Sequence, residues 1–430
     1  MTAKELISHI KNGALDDELL KIYQTEADVR IQQGRYEKAV KDFSHTFNHD
    51  SSDDVHIFSA PGRTEVCGNH TDHQQGEVLA ASISDDAIAV VSKRDDGVIQ
   101  LLSEGYDMMT VKTDSIAADP SEKGSTKSLI RGVLAKTKEL GYDIGGFNAY
   151  VTSDVLSGSG LSSSAAFETI VGTIISGLYN DMRIDPVEIA VIGQYAENVY
   201  FGKPCGLMDQ MACSVGALCH IDFADPDDPK IERIDFSLAD VGYSLCITDT
   251  KGSHANLTPD YAAVPSEMKQ VASLFGENVL CEITEDDVMD NSAMIREKAG
   301  DRAFMRAIHY YEECKRVRGA VSALKEKRFD DFLKLIDESG NSSYKYLQNV
   351  YAPHDTAHQN TSVALMASDI ILRESSSGVC RIHGGGFAGT IQAFVKNEAL
   401  ENYRSRMDQL FGKGACHVLL IRPCGGVQVI

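Results

Sequence analysis

No stretch of the 430 residues approaches the length of a membrane span, so no membrane-crossing helix is expected. The segment Met1 to Gly13 carries Lys4 and Lys11 but no apolar core followed by a small-residue cleavage site, so no secretory signal is expected either. Cysteine pairs are missing as well. The ten cysteines are spread singly from Cys67 to Cys424 without a CxxC, a pattern that fits reduced thiols in a cytoplasmic protein better than a disulfide framework. Positive charge is in deficit, with 41 Lys and Arg against 63 Asp and Glu, a formal net charge of −22. Nucleic acid and anionic membrane would both be repelled, although a few local basic groups and backbone amides can still hold a phosphate. There is no internal repeat, no low-complexity tract, and no GxxxxGK[ST], which excludes the common P-loop. The sequence carries no marker of oligomeric state.

What is present is an ordinary globular composition, 43% apolar and 24% charged, at a length that calls for two domains. Residues 1–50 have apolar positions at helical spacing (Leu19, Leu20, Ile22, Tyr23, then Val29, Ile31, Tyr36, Val40, Phe43), with Gly34 and the polar run Asn48 to Asp54 expected to interrupt or end the helices. From Val55 short apolar runs predict strands at His56–Ala60, Ala87–Ser92, Val98–Leu102 and Phe147–Thr152, with helices at Ser128–Leu140 and from about Ala165 to Tyr179. Helices are then expected at Ala303–Lys325, Phe329–Ser339 and Thr361–Arg373, and strands at Gly378–His383, Thr390–Lys396 and His417–Ile421. This mixture reads as α/β or α+β, with a division near residues 225–255.

Four local patterns carry chemistry. Leu156-Ser-Gly-Ser-Gly-Leu-Ser-Ser-Ser-Ala-Ala166 lies between a predicted strand and a predicted helix. Gly158 and Gly160 allow close backbone approach, and Ser162 to Ser164 fall at a helix N-terminus, where free amides and the dipole favour an anion. The same stretch also fits an ordinary Ser/Gly loop with a serine cap. Gly384-Gly-Gly-Phe-Ala-Gly389 matches GxGxxG in form only, because Thr390–Val395 behind it reads as a strand rather than a helix. It is expected to be a glycine loop between two strands. Ala60-Pro-Gly-Arg63 leads into Gly68-Asn-His-Thr-Asp-His73, a dense run of residue types that exchange hydrogen bonds with sugar hydroxyls. Glu197 and Asp209 are carboxylates among apolar neighbours, as a metal ligand and a base require. His354-Asp-Thr-Ala-His358 is not expected to bind zinc: Pro353 precedes it, Asp replaces the glutamate base, and no third ligand is evident.

Together these segments resemble the galactokinase branch of the GHMP kinases, from about Ile57 to the C-terminus. The matching motifs are Ala60-Pro-Gly-Arg-Thr-Glu-Val-Cys-Gly-Asn-His-Thr-Asp72, Gly158-Ser-Gly-Leu-Ser-Ser-Ser-Ala165 and Gly384–Gly389, with Ile130-Arg-Gly-Val133 and Cys205-Gly-Leu-Met-Asp-Gln210 between them. The resemblance implies a two-domain α+β fold: a helical extension (1–50), an N-terminal domain like ribosomal protein S5 domain 2 (51–245), and a C-terminal domain with a ferredoxin-like sheet and helices (246–430). It implies a sugar 1-kinase using ATP and Mg2+, with galactose as the leading substrate. By the same resemblance Asp209 is the base and Arg63 orients it and stabilises the transferring phosphoryl group. Gly158, Ser159, Gly160, Leu161, Ser162, Ser163 and Ser164 surround the ATP phosphates, and Ser164 and Glu197 hold the metal. Asn69, His70, Asp72, Glu65, Gly206, Tyr261 and Gly385 line the sugar site.

Two departures bear on the substrate. Galactokinases usually have glutamate where this chain has Asn69 and asparagine where it has Glu65, so a carboxylate is expected to reach the sugar from a new direction. The family's Tyr-Asn-x-Arg-Arg segment is replaced by Tyr261-Ala-Ala-Val-Pro265. A kinase for an acidic or otherwise modified sugar such as galacturonate is therefore one alternative. A non-catalytic sugar and ATP sensor is another, opposed by the retained Arg63, Ser162 to Ser164 and Asp209.

Overall fold

The computed structural model describes residues 1–47, 54–155, 160–226, 228–252 and 257–430. Three amphipathic helices open the chain: α1 (Ala3–Lys11), started by a Thr2–Glu5 capping box, α2 (Asp16–Tyr23) and α3 (Glu26–Phe47). Contrary to expectation, α3 runs straight through Gly34. One glycine costs a helix interior about 1 kcal/mol, whereas burying Tyr36, Val40 and Phe43 on the same helix returns roughly 1.5–3 kcal/mol for each large side chain. The expected break at Asn48 to Asp54 lies, apart from Asp54, outside the described residues.

The first sheet comprises β1 (Val55–Cys67), β2 (Glu77–Arg94), β3 (Val98–Ser103), β4 (Met109–Lys112) and, after α4 (Thr126–Glu139), β5 (Gly146–Ser153). Its order is β12-β1-β2-β5-β3-β4, antiparallel except for β3 against β5; β12 (Val427–Gln428) is the last strand of the chain. Alternating residues divide between two layers. Ile57, Ile88, Val90 and Tyr150 face the three N-terminal helices. Phe58, Ala89, Val91, Phe147 and Ala149 face α4, α5 (Ser163–Asn180) and α6 (Pro186–Tyr195). A π-helical turn (Ala196–Phe201) leads to α7 (Met208–Val215), and then β6 (Leu218–Asp222) and β7 (Lys230–Ile234) extend the sheet along the other end of β2.

The second sheet begins with β8 (Tyr243–Asp249), so the expected domain boundary at 245/246 falls inside a strand. Helices α8 (Thr258–Ser273), α9 (Glu285–Asp290), α10 (Ser292–Lys298), α11 (Asp301–Lys325), α12 (Phe329–Ser342) and α13 (Asn360–Ser375) precede β9 (Gly378–Ile382) and β10 (Thr390–Lys396); α14 (Leu400–Phe411) and β11 (Cys416–Leu419) follow. The order is β11-β8-β10-β9, antiparallel throughout. Gly384–Gly389 is thus the turn of the β9–β10 hairpin. The two sheets share a core in which Val66, Leu79, Ile83 and Leu161 pack with Leu245, Val317, Ile336 and Phe394. The chain then crosses back, and β12 pairs with β1. Among the described residues no helix is long and apolar enough to cross a membrane.

Candidate active site

The site forms where β1, the Ser/Gly loop before α5, the start of α7 and the β9–β10 turn converge. β1 shifts register against β2 twice, between Pro61 and Arg63 and between Glu65 and Cys67. Such bulges re-aim side chains. At Gly62 a Cβ would stand 2.9 Å from the Leu161 carbonyl oxygen, so only glycine lets the Ser/Gly loop come this close. The Arg63 amide donates to that same carbonyl at 3.2 Å.

Arg63 then spans the site. Its Nε donates to Asp209 Oδ1 at 2.7 Å, and its Nη1 donates to the Gly160 carbonyl. The other Asp209 oxygen, Oδ2, accepts from the Ser162 hydroxyl. Burial alone would push the Asp209 carboxyl up, but the Arg63 guanidinium and these hydrogen bonds hold it below the ordinary carboxylate value, so it is ionised at neutral pH. Ser162 adopts a left-handed conformation (φ 60°) at the N-cap of α5. Its hydroxyl, the usual helix cap, is instead turned to Asp209, so Ser162 does not cap the first amides of the 18-residue α5.

At the second residue of α5, Ser164 Oγ donates to Glu197 Oε1 at 3.3 Å. Glu197 is buried in the π-helical turn, a geometry that recurs at functional sites. Its Oε1 also accepts from Lys203 Nζ at 3.1 Å, and its Oε2 from Gln210 Nε2 at 2.8 Å. Gln210 Nε2 lies 3.0 Å from Oε2 of a second buried carboxylate, Glu168. Burial and the neighbouring Glu197 charge raise the Glu168 carboxyl well above its ordinary value. Ser164 and Glu197 offer hard oxygens and no imidazole or thiolate, and no group of three or more His, Cys, Asp or Glu suited to a metal occurs among the described residues. That donor set fits Mg2+, which takes one or two carboxylates and completes its shell with phosphates and water.

The second cluster is built on the turn after β1. His70, at φ 61°, sets its Nε2 3.0 Å from the Gly385 carbonyl and stacks on His73 with centroids 5.7 Å apart. Burial, reinforced by His73, lowers the His70 imidazole to about 3, so it is neutral. Asp72 abuts Gly206, where a Cβ would fall 1.9 Å from Asp72 Oδ2. Tyr261 donates its hydroxyl to the Gly386 carbonyl at 2.6 Å and lays its ring on Gly385. Gly384 lies beside the Arg63 guanidinium, which joins the two clusters.

Asn69 and Glu65 are brought together but turned away from solvent. Instead of a carboxylate approaching from a new direction, their exchange forms a buried pair. Asn69 Nδ2 donates to both Glu65 oxygens at 3.2 and 3.0 Å and to the Gly384 carbonyl at 2.7 Å, while Arg381 Nη2 binds Glu65 Oε1 at 2.7 Å. The Glu65 and Arg381 side chains are 2% and 0% exposed. Gly158 and Ser159 lie outside the described residues.

Several participants were not anticipated. Glu168 follows Ser164 by four residues, hence on the same helical face, as the one carboxylate of an otherwise uncharged helix; that was a legible signal. Glu313 on α11 accepts from the Gly68 amide at 3.0 Å and the Asn69 amide at 3.4 Å, and His309 Nε2 meets the Asn69 carbonyl at 3.0 Å. Asn349 Nδ2 reaches Asn69 Oδ1 at 2.7 Å. The second-sheet half therefore grips the turn by its backbone, from residues more than 200 positions away that local pattern does not mark.

A two-sheet α+β fold that brings a helix N-terminus, an Arg–Asp pair and a Ser–Glu oxygen pair together defines a kinase of the GHMP class. Residues 128–217 match the family model "GHMP kinases N terminal domain", and residues 41–93 match "Galactokinase galactose-binding signature". Galactokinase from Glaesserella parasuis is 30% identical over 365 residues, covering 82% of this chain and 88% of that protein. Galactokinase from Streptomyces coelicolor is 29% identical, covering 86% and 93%. In fold, the chain is similar to Lactococcus lactis galactokinase complexed with galactose (TM-score 0.77, 22% identity, 90% and 98% covered) and to Methanococcus jannaschii mevalonate kinase (TM-score 0.60, 16% identity, 86% and 99% covered). This chain belongs to the galactokinase family.

Proposed function

We propose that the protein transfers the γ-phosphoryl group of ATP to the anomeric hydroxyl of galactose, giving galactose 1-phosphate. The observation that carries this reading is the Arg63 bridge, which ties an ionised Asp209 to the carbonyl backbone of the Ser/Gly loop. Phosphoryl transfer asks a protein mainly for in-line positioning and charge neutralisation. Asp209 Oδ2 accepts the proton of the sugar hydroxyl, replacing the Ser162 hydroxyl as hydrogen-bond partner. Arg63 keeps that carboxylate aimed and offers positive charge to the transferring group. The loop Gly158 to Ser164 and the first amides of α5 bind the phosphates. Ser164 and Glu197 would hold Mg2+, which, when bound, neutralises charge on the phosphate oxygens.

His70, Asp72, Gly206, Tyr261 and Gly385 surround the sugar. Neutral His70 spends its one ring N–H on the Gly385 carbonyl, which leaves Nδ1 to accept from a sugar hydroxyl, and Asp72 accepts likewise. Asn69, held by Glu65, supports this turn from beneath. All ten cysteines are free thiols, which supports a reducing, ATP-rich cytoplasmic location.

Asp209→Asn tests the mechanism. A positioned base contributes about 10²–10⁴-fold, so kcat should fall by that order while calorimetric galactose affinity stays within a few-fold. Undiminished turnover would refute the role. ADP release compared across galactose, galacturonate, N-acetylgalactosamine and arabinose tests the substrate, and a preference for any sugar but galactose rejects it.

A further inference from the structure

The π-helical turn ends in a feature that the catalytic scheme leaves unused. Two successive amides, Gly202 and Lys203, both donate to the Glu197 carbonyl, at 2.9 and 3.1 Å. This folds the chain back on itself, so that Lys203 lies against the side chain of the residue that anchors its own backbone. Its Nζ stands 3.1 Å from Glu197 Oε1. That is the oxygen shared with Ser164, whereas Oε2 is held from the opposite side by Gln210. The Glu197 side chain is 4% exposed and that of Lys203 is 63% exposed. The ammonium thus reaches in from solvent and ends on the oxygen at which the two metal-ligand candidates meet.

A compact ammonium with three rotatable donors on a flexible stem changes partners easily, and an ion pair with one exposed member is held only weakly. A divalent cation on Glu197 Oε1 and an ammonium in contact with the same oxygen repel each other at short range. Ser164, at the start of α5, contacts the same oxygen at 3.3 Å, so a displaced ammonium has the phosphate-receiving end of that helix beside it. We propose that Lys203 is a movable cation of the phosphoryl-transfer site: it neutralises Glu197 before nucleotide arrives, then yields that oxygen to the metal and binds a phosphate oxygen of the nucleotide. The inference rests on the reading of Ser164 and Glu197 as metal ligands.

The test uses Mn2+ as the probe and the full chain as Lys203→Met, Lys203→Arg and Glu197→Gln. Mn2+ affinity of nucleotide-free protein is read by electron paramagnetic resonance, and KM for Mg·ATP is measured with galactose in excess. Removing the competing ammonium should tighten Mn2+ binding in Lys203→Met by about 2–5-fold, the range of a half-exposed ion pair. It should also raise KM for Mg·ATP several-fold and leave KM for galactose unchanged, and Lys203→Arg should restore KM for Mg·ATP. Either change failing to appear in Lys203→Met, or weaker Mn2+ binding, overturns the proposal. Glu197→Gln separates the two levels. If it binds Mn2+ as wild type does, the metal-ligand reading fails and the Lys203 role with it. If it loses Mn2+ while Lys203→Met matches wild type, only the Lys203 role fails.

Discussion

Asn69 has both side-chain polar atoms engaged inside the protein: Nδ2 on Glu65 and Gly384, Oδ1 accepting from Asn349 and Ser343. A glutamate there would set a second carboxylate against Glu65 in a site shielded from water, and two like charges so placed cannot both stay ionised without cost. Asn69→Glu should therefore destabilise the fold by about 3–5 kcal/mol, the cost of an uncompensated buried charge. Restoring the usual family order with Glu65→Asn in the same chain should return part of that, because Arg381 again faces one carboxylate. A double-mutant cycle from urea melts should give a coupling of about 1–3 kcal/mol; strictly additive effects would show that the two positions do not read each other. The exchange of residue types was visible in the sequence because the positions are four apart. Its meaning was not, because the deciding partner, Arg381, is 316 residues from Glu65 and sits in an otherwise ordinary strand.

At the scale of elements, the segments that periodicity marks were legible: α4, α5, α11 and β10 fall within a few residues of expectation. Where reading failed, tertiary packing had outvoted a local signal. β1 continues through Pro61 and Gly62 to Cys67, seven residues past the expected end, because Pro61 still sits opposite Asp86 and the first of two bulges absorbs Gly62 while pairing with β2 persists. The helix α8, for which no element was expected, likewise passes through Pro265, supported by buried Val264, Met268 and Val271. Gly34 in α3 permits a direct test. It has helical backbone, and a Cβ there would meet nothing within 4 Å. Gly34→Ala should stabilise the protein by about 0.4–1 kcal/mol through the unfolded chain, read as a higher urea midpoint at unchanged slope. A lower midpoint would mean that α3 is not helical at this position. Activity should be unaffected, since α3 packs on the sheet face away from α5.

On the scale of the whole molecule, Asp86 joins parts that are far apart in sequence. Tyr23 of α2 donates to its Oδ2 at 2.7 Å, Arg35 of α3 pairs with Oδ1, and Arg422 from the returning C-terminal segment reaches Oδ2 at 3.0 Å; all meet on β2, where Ser59 of β1 adds a further bond. Burial opposes the Asp86 charge, yet the two guanidinium groups hold the carboxyl below its ordinary value. Its stabilisation is therefore present above the unfolded carboxyl pKa near 4 and is lost as pH falls through the folded value. Its neighbour Asp85 behaves in the opposite sense. Burial, with the charges of Asp154 and Asp86, raises it to about 7. The unfolded chain releases this proton near pH 4 and the folded one near 7, so Asp85 costs stability progressively across that interval and by a constant amount above it. Asp85→Asn should then raise stability at pH 7.5 by about 1–2 kcal/mol, allowing for solvent screening, with the gain vanishing near pH 4. Asp86→Asn should lose about 3–5 kcal/mol at pH 7.5, because the buried Arg422 and the largely buried Arg35 lose their counter-charge. Thermal melts of both variants at pH 4.5, 6 and 7.5 measure the two slopes. A gain from Asp85→Asn that is as large at pH 4.5 as at 7.5 would show that its proton is not held as argued. An Asp86→Asn midpoint equal to wild type would show that the N-terminal helices and the C-terminal segment are secured without the ion cluster.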